Sequence, residues 1–125
     1  MDKTKPGKII YPPGRFVEDY EKKVAKILAK SGETVEFLKE GNIRMADIIW
    51  RGAEWEIKAP EGGSSRTIEN NIRVALGQSK KVIVYLGRIK LPEEKSLKAI
   101  NKQAKMLGKK YKIIAILKNN EMIEF

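Results

Sequence analysis

The chain has 125 residues, with 26 Lys plus Arg against 16 Asp plus Glu for a formal net charge of +10, and it contains neither cysteine nor histidine. The first absence excludes disulfides and thiolate metal sites, and the second removes the usual zinc ligand and the usual general base. Any metal must therefore be held by oxygens, which suits Mg²⁺ or Mn²⁺ first and Zn²⁺ after them. The positive excess runs along the whole chain and suits a polyanionic partner, nucleic acid above all; a lysine-rich soluble surface is the plain alternative. The length is that of one domain with its own core. No apolar run approaches the about 18 residues of a membrane helix and no signal peptide opens the chain, so a soluble piece without membrane contact is expected.

Residues 1–15, MDKTKPGKIIYPPGR, carry three prolines and two glycines and read as a flexible N-terminal arm or linker, leaving 16–125 as the domain. From Phe16 the apolar residues Val17, Tyr20, Val24, Ile27 and Leu28 recur at helical spacing until Gly32 stops the pattern. Glu21 interrupts this stripe, four after Val17 and three before Val24. It lies either on the buried seam or at its edge, reaching water. Thr34 to Leu38 reads as a strand, and Glu40-Gly41-Asn42 as a turn.

Ala46 to Pro60, ADIIWRGAEWEIKAP, is the stretch the rest supports. Two runs of strand character flank Arg51-Gly52, and glycine meets the positive φ that a tight hairpin turn demands. With those two loop residues, antiparallel register pairs Trp50 with Ala53, Ile49 with Glu54, Ile48 with Trp55 and Asp47 with Glu56. Alternation then collects Asp47, Glu54, Glu56 and Lys58 on one face, and Ile48, Trp50, Trp55, Ile57 and Ala59 on the other. Opposed carboxylates are unfavourable, so such a pair invites a compensating cation. The two tryptophans face the apolar side and offer no stacking platform for RNA bases.

After Pro60, Glu61-Gly62-Gly63-Ser64-Ser65 is a loop whose serines can cap a helix, and Ile68, Ile72, Ala75 and Leu76 mark that helix up to about Lys80. Arg66, Asn70, Asn71, Arg73 and Gln78 decorate it. Its N-terminus beside Ser64, Ser65, Arg66 and Arg73 is a weak phosphate-site signal. Gln78 lies one step from the apolar face. Lys81 to Leu86 and Tyr111 to Leu117 are nearly continuous apolar runs, as expected of strands covered on both faces. Between them Pro92, Glu93 and Glu94 open a helix with Leu97, Ile100, Ala104 and Leu107 as its stripe, closed by Gly108. Asn119-Asn120 turns the last strand into a short terminal one, Met122 to Phe125. The expected fold is α/β, a single-domain mixed sheet with flanking helices in the order α-β-β-β-α-β-α-β.

Asp47 followed after eight residues by Glu56-Ile57-Lys58 resembles the D…(D/E)xK signature of the PD-(D/E)XK nuclease superfamily, whose restriction-endonuclease-like core is α-β-β-β-α-β with the motif on the second and third strands. The closer likeness is to C-terminal toxin domains of contact-dependent growth inhibition (CdiA-type) and related polymorphic toxins. It is carried by Glu21, Gly32 to Leu38, Ala46-Asp47, Trp55 to Pro60, Ser64-Ser65 and Ala75 to Ser79, and covers roughly Val17 to Leu117. The chain departs from the Gln-x-x-x-Tyr pattern of recombination nucleases, because Val82 stands four residues after Gln78.

The resemblance implies a metal-dependent endonuclease toxin acting on RNA, tRNA first. It would be held silent by a cognate immunity protein and would act in the cytoplasm of a target bacterium after delivery from a secreted or cell-surface parent. On the residues themselves, Asp47, Glu56 and the Ile57 carbonyl would hold one divalent cation, with Glu21 reaching it directly or through water. Lys58 would stand by the attacking water and the scissile phosphate, and Arg66, Arg73, Gln78, Ser64 and Ser65 would orient the backbone. Three alternatives stay open: a metal-independent ribonuclease of the barnase or colicin kind, a DNA nuclease or junction resolvase, and a non-catalytic basic nucleic-acid-binding module. In the last, Asp47, Glu56 and Lys58 are only a cross-strand ion cluster.

Overall fold

Alternation and helical spacing divide the apolar residues between two faces of one sheet. In the computed structural model, which describes residues 5–39 and 46–125, the elements run β1 (Ile9–Ile10), α1 (Asp19–Ala29), β2 (Val35–Phe37), β3 (Ile48–Trp50), β4 (Ala53–Lys58), α2 (Ser65–Leu76), β5 (Lys81–Tyr85), α3 (Glu93–Leu107), β6 (Lys112–Ile116) and β7 (Met122–Glu124). The seven strands form one mixed sheet in sequence order. The pairs β1–β2, β4–β5 and β5–β6 are parallel, while β2–β3, β3–β4 and β6–β7 are antiparallel. Trp55, Ile57, Ile83, Ile114 and Ile116 pack with Val24, Ala25 and Leu28 of α1. The opposite face, with Val82, Val84, Ile113 and Ala115, packs with Ile68, Ile72 and Ala75 of α2 and Ala99 and Ile100 of α3. Each such buried aliphatic chain contributes about 1.5–3 kcal/mol, which is why both faces of β5 and β6 must be apolar.

The hairpin turn forms as its sequence requires. Arg51 and Gly52 both have positive φ, at 52° and 70°, and the register pairs Trp50 with Ala53, Ile49 with Glu54 and Ile48 with Trp55. A non-glycine residue at positive φ is costly; here the Arg51 guanidinium lies 4.1 Å over the Trp50 ring and its Nε donates to Glu33 Oε1 at 2.9 Å, which offsets the strain.

β4 changes neighbours along its length. Its first half, Ala53 to Trp55, pairs with β3, and its second half, Glu56 to Lys58, pairs with β5. The sheet forks between them, and the candidate site sits at that fork.

Several boundaries differ from the sequence reading. The segment read as a flexible arm carries β1, which pairs Ile9 with Val35, and Gly7 N–H donates to the Ala29 carbonyl at 2.7 Å. Any side chain at Gly7 would strike the Glu33 backbone. A strand of two residues between prolines has no period to read. The first helix starts at Asp19, not Phe16, whose side chain is 73% exposed. The reason is local: Glu21 Oε1 accepts the Glu18 N–H at 2.9 Å, capping the helix there. α2 ends at Leu76, short of Lys80. The expected turn at Glu40-Gly41-Asn42 lies outside the described residues.

Candidate active site

Asp47 is fixed by its backbone on both sides. Its carbonyl accepts the Leu38 N–H at 2.9 Å and its N–H donates to the Trp55 carbonyl at 3.0 Å. Because the ladder pairs Trp55 with Ile48, Asp47 is one residue out of step with it, a bulge-like slip where β3 and β4 part. The expected Asp47–Glu56 rung is therefore absent from the ladder. Instead the Asp47 side chain turns to β4, and Oδ2 accepts the Ile57 N–H at 2.8 Å. That N–H has no strand partner at the fork, so the carboxylate supplies the acceptor the backbone needs. In an extended residue N–H and C=O point to the same edge, so the Ile57 carbonyl also faces the fork.

Glu56 is 3% exposed and Oε1 has no hydrogen-bond partner. Lys58 Nζ stands 3.5 Å from Glu56 Oε2. Burial, reinforced by the neighbouring Asp47 carboxylate and opposed by Lys58, pushes the Glu56 carboxyl up to about 8. The proximity of the two acids that the sequence predicts is thus present, although it arises from the slip and not from a ladder pair.

A second cation, from outside the hairpin, joins Asp47 to Glu21 of the first helix. Arg15 Nη2 lies 3.0 Å from Glu21 Oε2 and 3.3 Å from Asp47 Oδ1, with the Arg15 side chain only 3% exposed. Its Nε and Nη1 are buried without partners. Glu21 is buried on the seam, so of its two readings the inward one holds. Tyr20 lies alongside: burial first, then the Glu21 and Asp47 carboxylates, push its phenol up to about 12, which keeps it a neutral O–H donor. Arg88 stacks 4.5 Å over the Tyr20 ring and donates through Nη2 to the Ala59 carbonyl at 2.6 Å, fixing the strand just beyond Lys58.

Among the described residues no three carboxylates converge as a ready metal cage. Glu21 has both oxygens engaged, one by the Glu18 N–H and one by Arg15. Asp47 also has both oxygens engaged, by Arg15 and the Ile57 N–H, but a carboxylate oxygen accepts more than one partner, and beside it the buried Glu56 Oε1 has none, so it is at Glu56 with Asp47 that the donor set fits a divalent ion.

The remaining expected site residues divide between the two ends of α2. Ser64 is the N-cap, with its Oγ 3.3 Å from Thr67 Oγ1, and Ser65 and Arg66 open the helix, at the end of β4 where Lys58 lies. Arg73 sits in the last turn, remote from that end. Gln78 does not join the site either. Next to it, Ser79 Oγ donates to the Glu54 carbonyl at 2.9 Å, at the other end of β4, and Gln78 Oε1 is buried without a partner.

Sequence reasoning missed Arg15, Tyr20 and Arg88. Arg15 fell in the segment read as an arm, and Tyr20 was absorbed into the apolar stripe. The signal that could have found Arg15 is Glu21 itself, since a carboxylate on a buried seam demands a cation.

A solved structure described as "CdiA-CT/CdiI toxin and immunity complex from Burkholderia pseudomallei" matches with a TM-score of 0.68 and 20% identity, over 95% of this chain and 98% of that one. At that identity the likeness speaks for the fold: this mixed sheet with three helices is that of a CdiA-CT toxin structure. No curated protein matches. The family described as contact-dependent growth inhibition CdiA C-terminal domain matches residues 44–123, and the chain belongs to that family of toxin domains.

Proposed function

We propose that this toxin domain is a metal-dependent endonuclease of the PD-(D/E)XK kind that cleaves RNA, tRNA first, through Asp47, Glu56 and Lys58. The observation that carries the reading is the gathering of two carboxylates and an ammonium at the β3–β4 fork, with Glu56 Oε1 buried and unpartnered. Asp47, Glu56 and the Ile57 carbonyl would hold Mg²⁺ or Mn²⁺, with Zn²⁺ as a substitute, and the ion would supply a Lewis acid for a phosphate oxygen and lower the pKa of a bound water.

The chain's own residues do the positioning. The Ile57 N–H and Arg15 fix the two Asp47 oxygens, which sets the carboxylate plane before substrate arrives. Lys58 places a positive charge beside the acids, where negative charge grows on phosphorus oxygens in the transition state. Tyr20 contributes a neutral donor, and Ser64, Ser65 and Arg66 hold the backbone at the start of α2. A cognate immunity protein silences the domain and the target cell's cytoplasm is its place of action. The toxin and immunity complex of similar fold and the family membership support both.

The test is incubation of purified protein with total tRNA and with plasmid DNA, each with Mg²⁺, Mn²⁺, Zn²⁺ or EDTA. Cleavage of tRNA with Mg²⁺ or Mn²⁺, abolished by EDTA and by Glu56→Gln, is expected. Undiminished cutting in EDTA would instead select the metal-independent ribonuclease.

A further inference from the structure

Away from the fork, α3 carries more lysines than any other helix or strand of the described residues. Lys95, Lys98, Lys102 and Lys105 recur at steps of three, four and three, which stacks them on one helix face, and all four are exposed. They line a cleft of about 470 Å³ between α3 and α2, together with Ser65 and Glu69. Four positive charges thus face one negative. The lining, among the described residues, holds no aromatic ring.

The topology carries this cleft to the fork. α2 follows β4 and α3 follows β5, and those strands are parallel, so both helices start at the strand end where Lys58 stands. The loops leaving the strands are tied to each other, since Lys90 N–H donates to the Gly62 carbonyl at 3.2 Å. Ser65, the first residue of α2, is therefore both the mouth of the cleft and the rim of the candidate site.

We propose that the α2–α3 lysine cleft binds the phosphate backbone of the RNA that the fork cleaves. This rests on the nuclease reading for its location and extends it to the substrate's grip. The ten residue steps from Lys95 to Lys105 span about 15 Å, and a duplex strand shows one phosphate per about 3.4 Å of axis, so four ammoniums face about four phosphates. Lysine on a flexible stem acts as a point charge that neutralises phosphate without reading bases, which fits sequence-independent holding of a strand. A protein partner fits less well. Protein–protein interface cores are depleted in Lys and enriched in Tyr, Trp and Arg, the reverse of this lining.

The test measures binding without cleavage. Labelled tRNA is titrated in EDTA by fluorescence anisotropy from about 50 to about 200 mM salt. The fourfold variant Lys95→Gln, Lys98→Gln, Lys102→Gln, Lys105→Gln is set against the same four positions changed to Arg. The Gln variant is expected to lose about tenfold or more in affinity at about 100 mM salt, with the slope of log affinity against log salt falling by about 3, while the Arg variant keeps both. An unchanged slope in the Gln variant overturns the proposal. If the wild type cuts RNA yet the slope is unchanged, only the cleft assignment fails; if it binds with the expected slope but never cuts, only the nuclease reading fails.

Discussion

Arg15 and Asp47 are separated by 32 positions in the chain, yet the Arg15 Nη2 lies 3.3 Å from Asp47 Oδ1 while also 3.0 Å from Glu21 Oε2. One guanidinium nitrogen therefore ties the N-terminal segment, the first helix and the hairpin into one charge cluster. Removing the cation leaves Glu21 buried with a charge that only the Glu18 N–H still meets. Arg15→Met is expected to lower stability by about 3 kcal/mol, measured as a shift of the urea midpoint. The double variant Arg15→Met, Glu21→Gln should cost less than the two single changes added together. Additive losses would show that the bridge carries no coupling.

Glu56 gives the protein a pH dependence of definite sign. Its carboxyl is raised from 4.5 to about 8 by burial and by Asp47, so the folded state binds a proton more tightly than the unfolded one. Folding then takes up a proton, and the stability linked to this group is full below about pH 4.5 and is lost as pH rises through about 8. In EDTA the thermal midpoint of the wild type is expected to fall between pH 5 and pH 8 on this account, and Glu56→Gln to flatten that fall. Mn²⁺ should raise the midpoint more at pH 8 than at pH 6, because only the ionised pair attracts it. Identical wild-type and Glu56→Gln profiles would show that Glu56 is ionised throughout.

Asp47 has two duties, and two substitutions separate them. Its charge serves the candidate site, and its Oδ2 serves the Ile57 N–H at 2.8 Å. Asp47→Asn keeps an oxygen for that N–H and should retain the fold while losing at least about 100-fold in tRNA cleavage. Asp47→Ala should lose cleavage equally and also about 1–2 kcal/mol of stability, since it orphans a backbone donor at the fork. If Asp47→Asn cut tRNA at the wild-type rate, the carboxylate would have no role in chemistry.

Much of this was legible in the chain. The hairpin turn and register followed from Arg51-Gly52 and strict alternation, and the buried strands Lys81–Tyr85 and Lys112–Ile116 from runs of β-branched residues. These are signals with a period. What escaped reading has none. A two-residue strand between prolines, a one-residue slip at Asp47 and a guanidinium reaching across 32 positions depend on three-dimensional closure, not on neighbours in sequence. Glu21 shows the boundary between the two: its spacing placed it on or beside the seam, while its partner could come only from the folded chain.

Gln78 tests the geometry from the other side. Its spacing, one step from the apolar face, is compatible with orienting the nucleic-acid backbone, but it lies past the C-terminus of α2, where the neighbouring Ser79 hydroxyl bonds the Glu54 carbonyl. Four residues of strand, about 13 Å, separate Glu54 from Lys58. The Gln78 Oε1 is buried and unpartnered, so the side chain carries a desolvation cost without an offsetting bond. Gln78→Met, similar in volume and without the polar end, is therefore expected to leave tRNA cleavage within about threefold of wild type and to hold or slightly raise the urea midpoint. A loss of cleavage with an unchanged midpoint would place Gln78 in the substrate's path and require a different course for the RNA across the sheet.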